Sequence, residues 1–356
     1  MTAVLDPAAP KGTRTPPTRR RVTGVLTDQR VALAAIVIVL FVGFGVANPM
    51  FFNSQFVIYP LLRDTATFTV VGLAQMCALS IGHMNLAVGR MAAVAAMAAG
   101  FCFERLHMGL VPGSLIGLTT GALVGALTGW IIVKSQVNSF VVTLAMDFAL
   151  LGLVSLTYTT FTDAAAFTTK PPGMDTLGNG SLGGYCIGNL CGAPVIPLLV
   201  FPALVALIAV RYLYGWTRLG RELLSTGASL RASRLSGIPS DRRVIQAHTI
   251  SGLLAGLAGL MLAVASGSFS AAVGSEFMIP SFLGPVLGGT LLTGGAVSVL
   301  GTMLGTMLTL VIRQGLTVQG IGLETLNIAL GFVLLLALST QRLRTVTWRP
   351  WRRSRA

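Results

Sequence analysis

Along the chain, apolar runs of about bilayer-crossing length alternate with clusters of glycine, proline and small polar residues. The runs and their breakers predict helices near Val31–Ala47, Thr65–Ser80, Asn85–Phe103, Val111–Val133 and Phe140–Tyr158. A polar, Gly-rich segment, 160–194, comes next, with a helix near Val195–Tyr214 closing the first half. After a charged stretch, 217–243, the pattern resumes near Val244–Ala265, Met278–Leu292, Val297–Val311 and Leu323–Leu338. The runs are continuously apolar, whereas a spanning β-barrel alternates apolar and polar positions. The expected fold is therefore an all-α membrane protein with about ten transmembrane helices.

Two runs are broken from within. SIGHMNLAVGR, Ser80 to Arg90, sets two glycines, a histidine, an asparagine and an arginine into one, and GPVLGGTLLTGGAVSVLG, Gly284 to Gly301, breaks another. A helix that stops inside a bilayer leaves backbone N–H and C=O groups without water, at several kcal/mol each, so such breaks persist only where protein or a wet cavity meets them. One reading is a tight turn at the membrane surface. The other is a broken helix beside a substrate pathway, and the recurrence of the break in each half favours two related helical units around such a pathway. The candidate pathway residues are His83, Asn85, Asn138, Thr143, Asp147, Phe282, Thr290 and Thr293. Asp147 stands out because an ionised carboxylate within an apolar helix costs about 3 kcal/mol and must face protein or water. Arg63–Asp64 and Glu104–Arg105 read as surface pairs, and Arg313 and Glu324 as residues near an outer interface. Repeated small residues, as in GSLIGLTTGALVGALTG, read as close helix packing.

Composition agrees with this pattern: 53% of residues are hydrophobic, 10% are charged, and the mean hydropathy is +0.79. The net charge of +14 does not form a nucleic-acid-binding stripe, because the basic residues gather in an N-terminal arm (1–30), the loop 217–243 and a tail (341–356). Basic residues in short loops stay on the cytoplasmic side. Both termini and the basic loop are therefore assigned to the cytoplasm, 160–194 to the outside, and 31–340 to one transmembrane domain. The N-terminal arm and first apolar run imitate a signal peptide, but the long basic region and Pro49 favour an uncleaved helix. Cys186 and Cys191, in YCIGNLC, fall in the outer segment, where a disulfide is a candidate and free thiols are the alternative.

The basic loop reads either as a surface for anionic membrane lipid or as a docking element for a protein partner. The residues of RLGRELLSTGASLRASRLSGI resemble the cytoplasmic loop of permease subunits of ATP-binding-cassette importers, in the ribose and xylose branch related to branched-chain amino acid permeases. SIGHMNLAVGR is similar to that family's GGIDLSVG signature, NSFVVTLAM to PSFIVTLGM, and GGTLLTGGAVSVLGTMLGTML to its Gly-rich motif, in the same order. The resemblance spans about 65 to 338 and departs at Asn85, where the family has an acid, at Leu151, where an arginine is common, and at Asp147.

What it implies is a bacterial inner-membrane permease that pairs with a second copy or a homologue. ATPase subunits would bind on the cytoplasmic side, and an extracytoplasmic binding protein would deliver a sugar or similar small polar solute. Matching the family's loop puts ATPase docking at Ala228, Arg231, Arg234, Leu235 and Gly237. No cofactor is expected on this chain; ATP and Mg would sit on the partner, since Lys11, Lys134 and Lys170 are the only lysines and none lies in a phosphate-cradling GxxxxGK[ST] loop. The competing function is an ion- or proton-coupled secondary transporter in which Asp147 and His83 carry the coupling ion.

Overall fold

The computed structural model describes residues 29–162, 166–184, 186–187, 190–191, 195–320 and the isolated positions 322, 328, 331, 332 and 335. The N-terminal arm before residue 29, nearly all of the expected helix Leu323–Leu338 with Glu324, and the basic tail lie outside the described residues.

The chain opens with α1 (Gln29–Ala47), turns through a 3-10 segment (Pro49–Phe52) and a π turn (Ser54–Ile58), and enters α2 (Tyr59–Leu79). Next come α3 (Val88–Glu104), α4 (Leu110–Ser135) and α5 (Ser139–Phe161). The segment after α5 holds β1 (Ala166–Phe167), a short α6 (Met174–Asn179) and the hairpin β2 (Cys186–Ile187) and β3 (Leu190–Cys191). The second half runs through α7 (Val200–Trp216), α8 (Arg218–Ala228), α9 (Leu230–Leu235), α10 (Ser240–Ser266), β4 (Phe269–Ser270), α11 (Met278–Leu287) and α12 (Val299–Val318). Among the described residues six helical stretches are long and apolar enough to cross a membrane, and a seventh is counted if α7 and α8, bent by 73°, form one span. This is a multi-pass membrane protein built of helices.

Glycine spacing sets the packing at its centre. On α4, Gly113, Gly117, Gly121, Gly125 and Gly129 recur every fourth residue and are all buried, so they form a smooth stripe along one helix face. The stripe lies on α10 and on the edge of α3. A Cβ added to Gly121 would lie 2.6 Å from the Gly252 carbonyl oxygen, one on Gly117 2.7 Å from that of Ala95, and one on Gly129 2.8 Å from the Cα of Ile245. With no apolar driving force between helices in lipid, such close backbone approach supplies the attraction. Threonines within the apolar helices hide their hydroxyls by donating to the carbonyl four residues back, as Thr128 does to Val124 at 2.8 Å and Thr309 to Gly305 at 2.9 Å.

At the end away from the basic loop, β1 pairs antiparallel with β4, setting Phe167 opposite Phe269, whose carbonyl accepts from the Tyr158 hydroxyl at 2.7 Å. Glu104 and Arg105 do not pair with each other as read from sequence. Glu104 accepts from the Thr168 and Thr169 amides at 2.9 and 3.3 Å, tying the end of α3 to the segment after α5, while Arg105 donates to the carbonyl of Phe161 at the end of α5. Arg63 and Asp64 do approach one another at 3.5 Å, and Arg313 reaches Glu276 at 3.8 Å.

Gly121→Ala is expected to lower the melting temperature in detergent, its methyl costing about 1–3 kcal/mol against the Gly252 backbone. Gly152→Ala, whose Cβ would meet nothing within 4 Å inside a helix that favours alanine over glycine by about 1 kcal/mol, is expected to leave it unchanged or raise it slightly. Equal melting temperatures for the two variants would contradict the packing account.

Candidate functional site

The first break begins where α2 ends at Leu79. Gly82 takes a positive φ of 75°, a left-handed turn that other residues adopt at a cost. The turn closes on the helix it leaves, with the Gly82 amide donating to Leu79 at 2.9 Å and the His83 amide to Ala78 at 3.1 Å. From there residues up to Ala87 run non-helically to α3, and the protein satisfies their polar groups. With its amide nitrogen turned toward the Asn85 carbonyl, Gln75 donates to it at 2.8 Å and accepts from the Asn85 amide at 3.2 Å, like a strand partner. The Met84 carbonyl accepts from the Thr143 hydroxyl at 3.2 Å.

Asn85 is wholly buried and engaged at both ends of its side chain. Its oxygen accepts from the Ala87 amide at 3.1 Å, turning the chain into α3, and its nitrogen donates to the Ser251 hydroxyl on α10 at 3.0 Å. Beside it, His83 Nδ1 and His248 Nε2 lie 3.2 Å apart, which requires one ring to donate and the other to accept. Asp147 on α5 faces Arg90 in the first turn of α3 at 3.8 Å, with side chains 23% and 19% exposed, so its charge has an opposite charge nearby.

The second break follows α11, which stops at Leu287 because Gly288 and Gly289 turn the chain, Gly289 at φ 88°. Buried Thr290 lends its hydroxyl to the Ser298 amide at 3.3 Å, and the Leu291 amide donates to Ala296 at 3.2 Å, closing a compact loop. Gly294 and Gly295 at its tip have φ of 86° and 83°, and Ser298 caps α12 by accepting from the Gly301 amide at 3.2 Å. The tips of the two breaks touch: the Gly295 amide donates to the Ser80 carbonyl at 3.0 Å.

The structure thus gathers His83, Asn85 and Thr143 around the first break, with Asp147 beside the helix it launches. Thr290 is buried within the second break, and Thr293 is exposed at its tip. Phe282 is half-buried on α11, and Asn138 sits exposed as the cap of α5, accepting from the Phe140 amide at 2.9 Å. Sequence reading missed Gln75, Ser251 and the part His248 plays here. Gln75 had a signal, as a lone amide in the apolar run GLAQMCAL; Ser251 had none.

In the basic loop, Thr217 caps α8 by accepting from the Gly220 amide at 3.1 Å, and Ser229 caps α9 by accepting from the Ala232 amide at 3.3 Å. Glu222 on α8 meets Arg243 on α10 at 2.6 Å, fixing the loop to the core. The short α9 projects from it. Leu235 is 84% exposed, Arg231 is exposed beside it, and Arg234 reaches Asp241 at 2.8 Å. Gly237, with φ 76°, ends the projection and lets the chain turn into α10.

Known proteins resemble this chain over most of its length. The family described as branched-chain amino acid transport system / permease component matches residues 57–338, which include both breaks and the whole basic loop. The ribose import permease protein RbsC of Escherichia coli (strain K12) is 27% identical over 319 residues, covering 88% of this chain and 92% of that protein. The autoinducer 2 import system permease protein LsrD of the same strain is 26% identical over 303 residues, 82% of this chain and 85% of its own length. No solved structure matches the chain. With a match over this much of its length, and with broken helices and a projecting basic loop in the matched region, the chain belongs to the branched-chain amino acid transport system permease family.

Proposed function

We propose that this chain is the transmembrane subunit of an ATP-driven importer for a sugar or similar small polar solute in the bacterial cytoplasmic membrane. The observation that carries the reading is the family match over 57–338, supported by relatives named as import permeases for ribose and autoinducer 2. Partner ATPases hydrolyse ATP on the basic side, a binding protein delivers solute on the other, and a second copy or homologue of this chain completes the translocation unit. In this arrangement α9 is the docking element: Leu235 supplies an exposed apolar anchor and Arg231 a positive charge beside it. An exposed leucine of this kind gains its burial only on meeting a partner. Arg234 works from its pairing with Asp241, holding the projection against α10.

The breaks serve as the moving elements. The polar groups of the first are met by side chains from α5 and α10 and by Gln75, those of the second by Thr290 and Ser298 within it, and such partners can be exchanged for water or for solute hydroxyls as the helices shift. Asp147, paired with Arg90, keeps α3 and α5 in register. The outer hairpin sets Cys186 directly opposite Cys191, and this register supports a disulfide between them.

Co-purification in mild detergent tests the docking. A nucleotide-binding subunit is expected to accompany the unaltered chain and to be lost from the double variant Arg231→Glu, Leu235→Glu, which still inserts and folds; retention of the ATPase by that variant would remove α9 from the docking role. Asn85→Ala is expected to lower both melting temperature and uptake, by about 1–3 kcal/mol of stability for the polar partners it strands, while Asn85→Asp keeps the turn into α3 and recovers most of the melting temperature. Equal behaviour of the two would show that the turn is not what Asn85 provides. For the outer hairpin, the denatured chain is expected to titrate two thiols without reductant and all four after reduction; four from the outset would mean free cysteines.

A further inference from the structure

Gly227 occupies the last full turn of α8, in ordinary helical backbone, where alanine is favoured over glycine by about 1 kcal/mol. Backbone freedom therefore does not account for it; space does. A Cβ at this position would fall on the carbonyl oxygen of Ser80, 2.7 Å from the amide nitrogen of Gly295 and 3.0 Å from the Cα of Ile81. These atoms belong to the tips of the two breaks, and the first two form the hydrogen bond that joins them.

The contacts around it are equally close. A Cβ on Gly295 would lie 2.8 Å from the Cα of Ala228, one on Gly294 would lie 2.9 Å from the carbonyl oxygen of Gly227, and one on Gly82 would lie 2.8 Å from the carbonyl oxygen of Thr293. Three pieces of backbone thus meet with no side chain larger than the Ala228 methyl between them: the end of the loop helix, the first break and the second. Ser80 is held from a further side, where its hydroxyl accepts from Tyr214 at 3.0 Å and donates to Cys77 at 2.7 Å. Only Ser229 separates α8 from α9, so a displacement of α9 reaches this junction through a single linking residue.

Resting on the importer reading above, we propose that Gly227 is the positioning residue of transport: through it, movement of the docked α9 reaches both breaks at once. The device works because the contact is backbone on backbone. Such a contact has no side-chain rotamers to absorb a shift, so the tips must follow the helix end or part from it.

The chain carries its own reporter. Cys77 is a free thiol, fully buried one turn before Ser80, and separation of the tips uncovers it. The experiment measures alkylation of Cys77 by N-ethylmaleimide in the complex with its ATPase, read by peptide mass spectrometry, with and without nucleotide trapped by vanadate. In the unaltered complex the rate is expected to change on trapping. In Gly227→Ala the ATPase still co-purifies, but the resting rate rises by about tenfold, the scale of overpacking by one methyl, and no longer responds to nucleotide. Gly152→Ala, substituted into open space, is expected to behave as the unaltered chain.

If Gly227→Ala does not assemble, Ala228→Gly loosens the same contact by removing the methyl that lies against Gly295, and it is expected to raise the resting rate in the same direction. An ATPase that binds while Cys77 reacts identically in the unaltered chain and in the junction variants overturns the proposal and leaves the importer reading standing. Absence of any ATPase from the unaltered complex overturns the importer reading itself.

Discussion

A backbone amide or carbonyl inside a bilayer has no water to turn to, and that requirement organises the rest of this molecule. Straight helices meet it internally. The two glycine breaks cannot, and each is surrounded by groups that supply the missing partners: Gln75, Thr143 and the Asn85 side chain at the first, Thr290 and Ser298 within the second. The glycine stripe of α4 belongs to the same solution, because only bare backbone lets α10 come close enough to bring His248 and Ser251 against the first break.

A satisfied break is also a movable one. At the first break the partners are one or two hydrogen bonds each to side chains on α2, α5 and α10, and a modest relative shift of these helices exchanges them for others. The compact second loop and the turn at Gly82 are joined through Ser80 and Gly295, so the two halves of the chain meet at their interruptions rather than along their helices there. That meeting point lies at the basic end, against α8, one residue from the projecting α9.

Much of this was legible in the sequence. Val111–Val133 as predicted became Leu110–Ser135, and Phe140–Tyr158 became Ser139–Phe161, because uninterrupted hydrophobic runs leave little choice of element. Misjudged boundaries had local causes. The helix expected from Thr65 starts at Tyr59, since Arg63 and Asp64 meet each other and Pro60 suits a first turn; the one expected to reach Leu292 stops at Leu287, where Gly288 and Gly289 follow. The breaks announced themselves by their glycines. Their partners did not, because Asn85 and Ser251 are 166 residues apart and Gly227 looks in sequence like any glycine near a helix end. The candidate docking residues came from family resemblance alone, and the structure adds that Arg234 is engaged by Asp241 while Arg231 and Leu235 are exposed.

In the proposed transport cycle the two breaks are sealed by protein at rest and move as one unit when the ATPases act. Hydrogen–deuterium exchange of the assembled transporter measures this directly, comparing segments 80–87 and 288–298 with and without vanadate-trapped nucleotide. Both segments are expected to be protected at rest and to change together on trapping. Rapid exchange of either segment at rest, or a response confined to one break, would contradict that cycle.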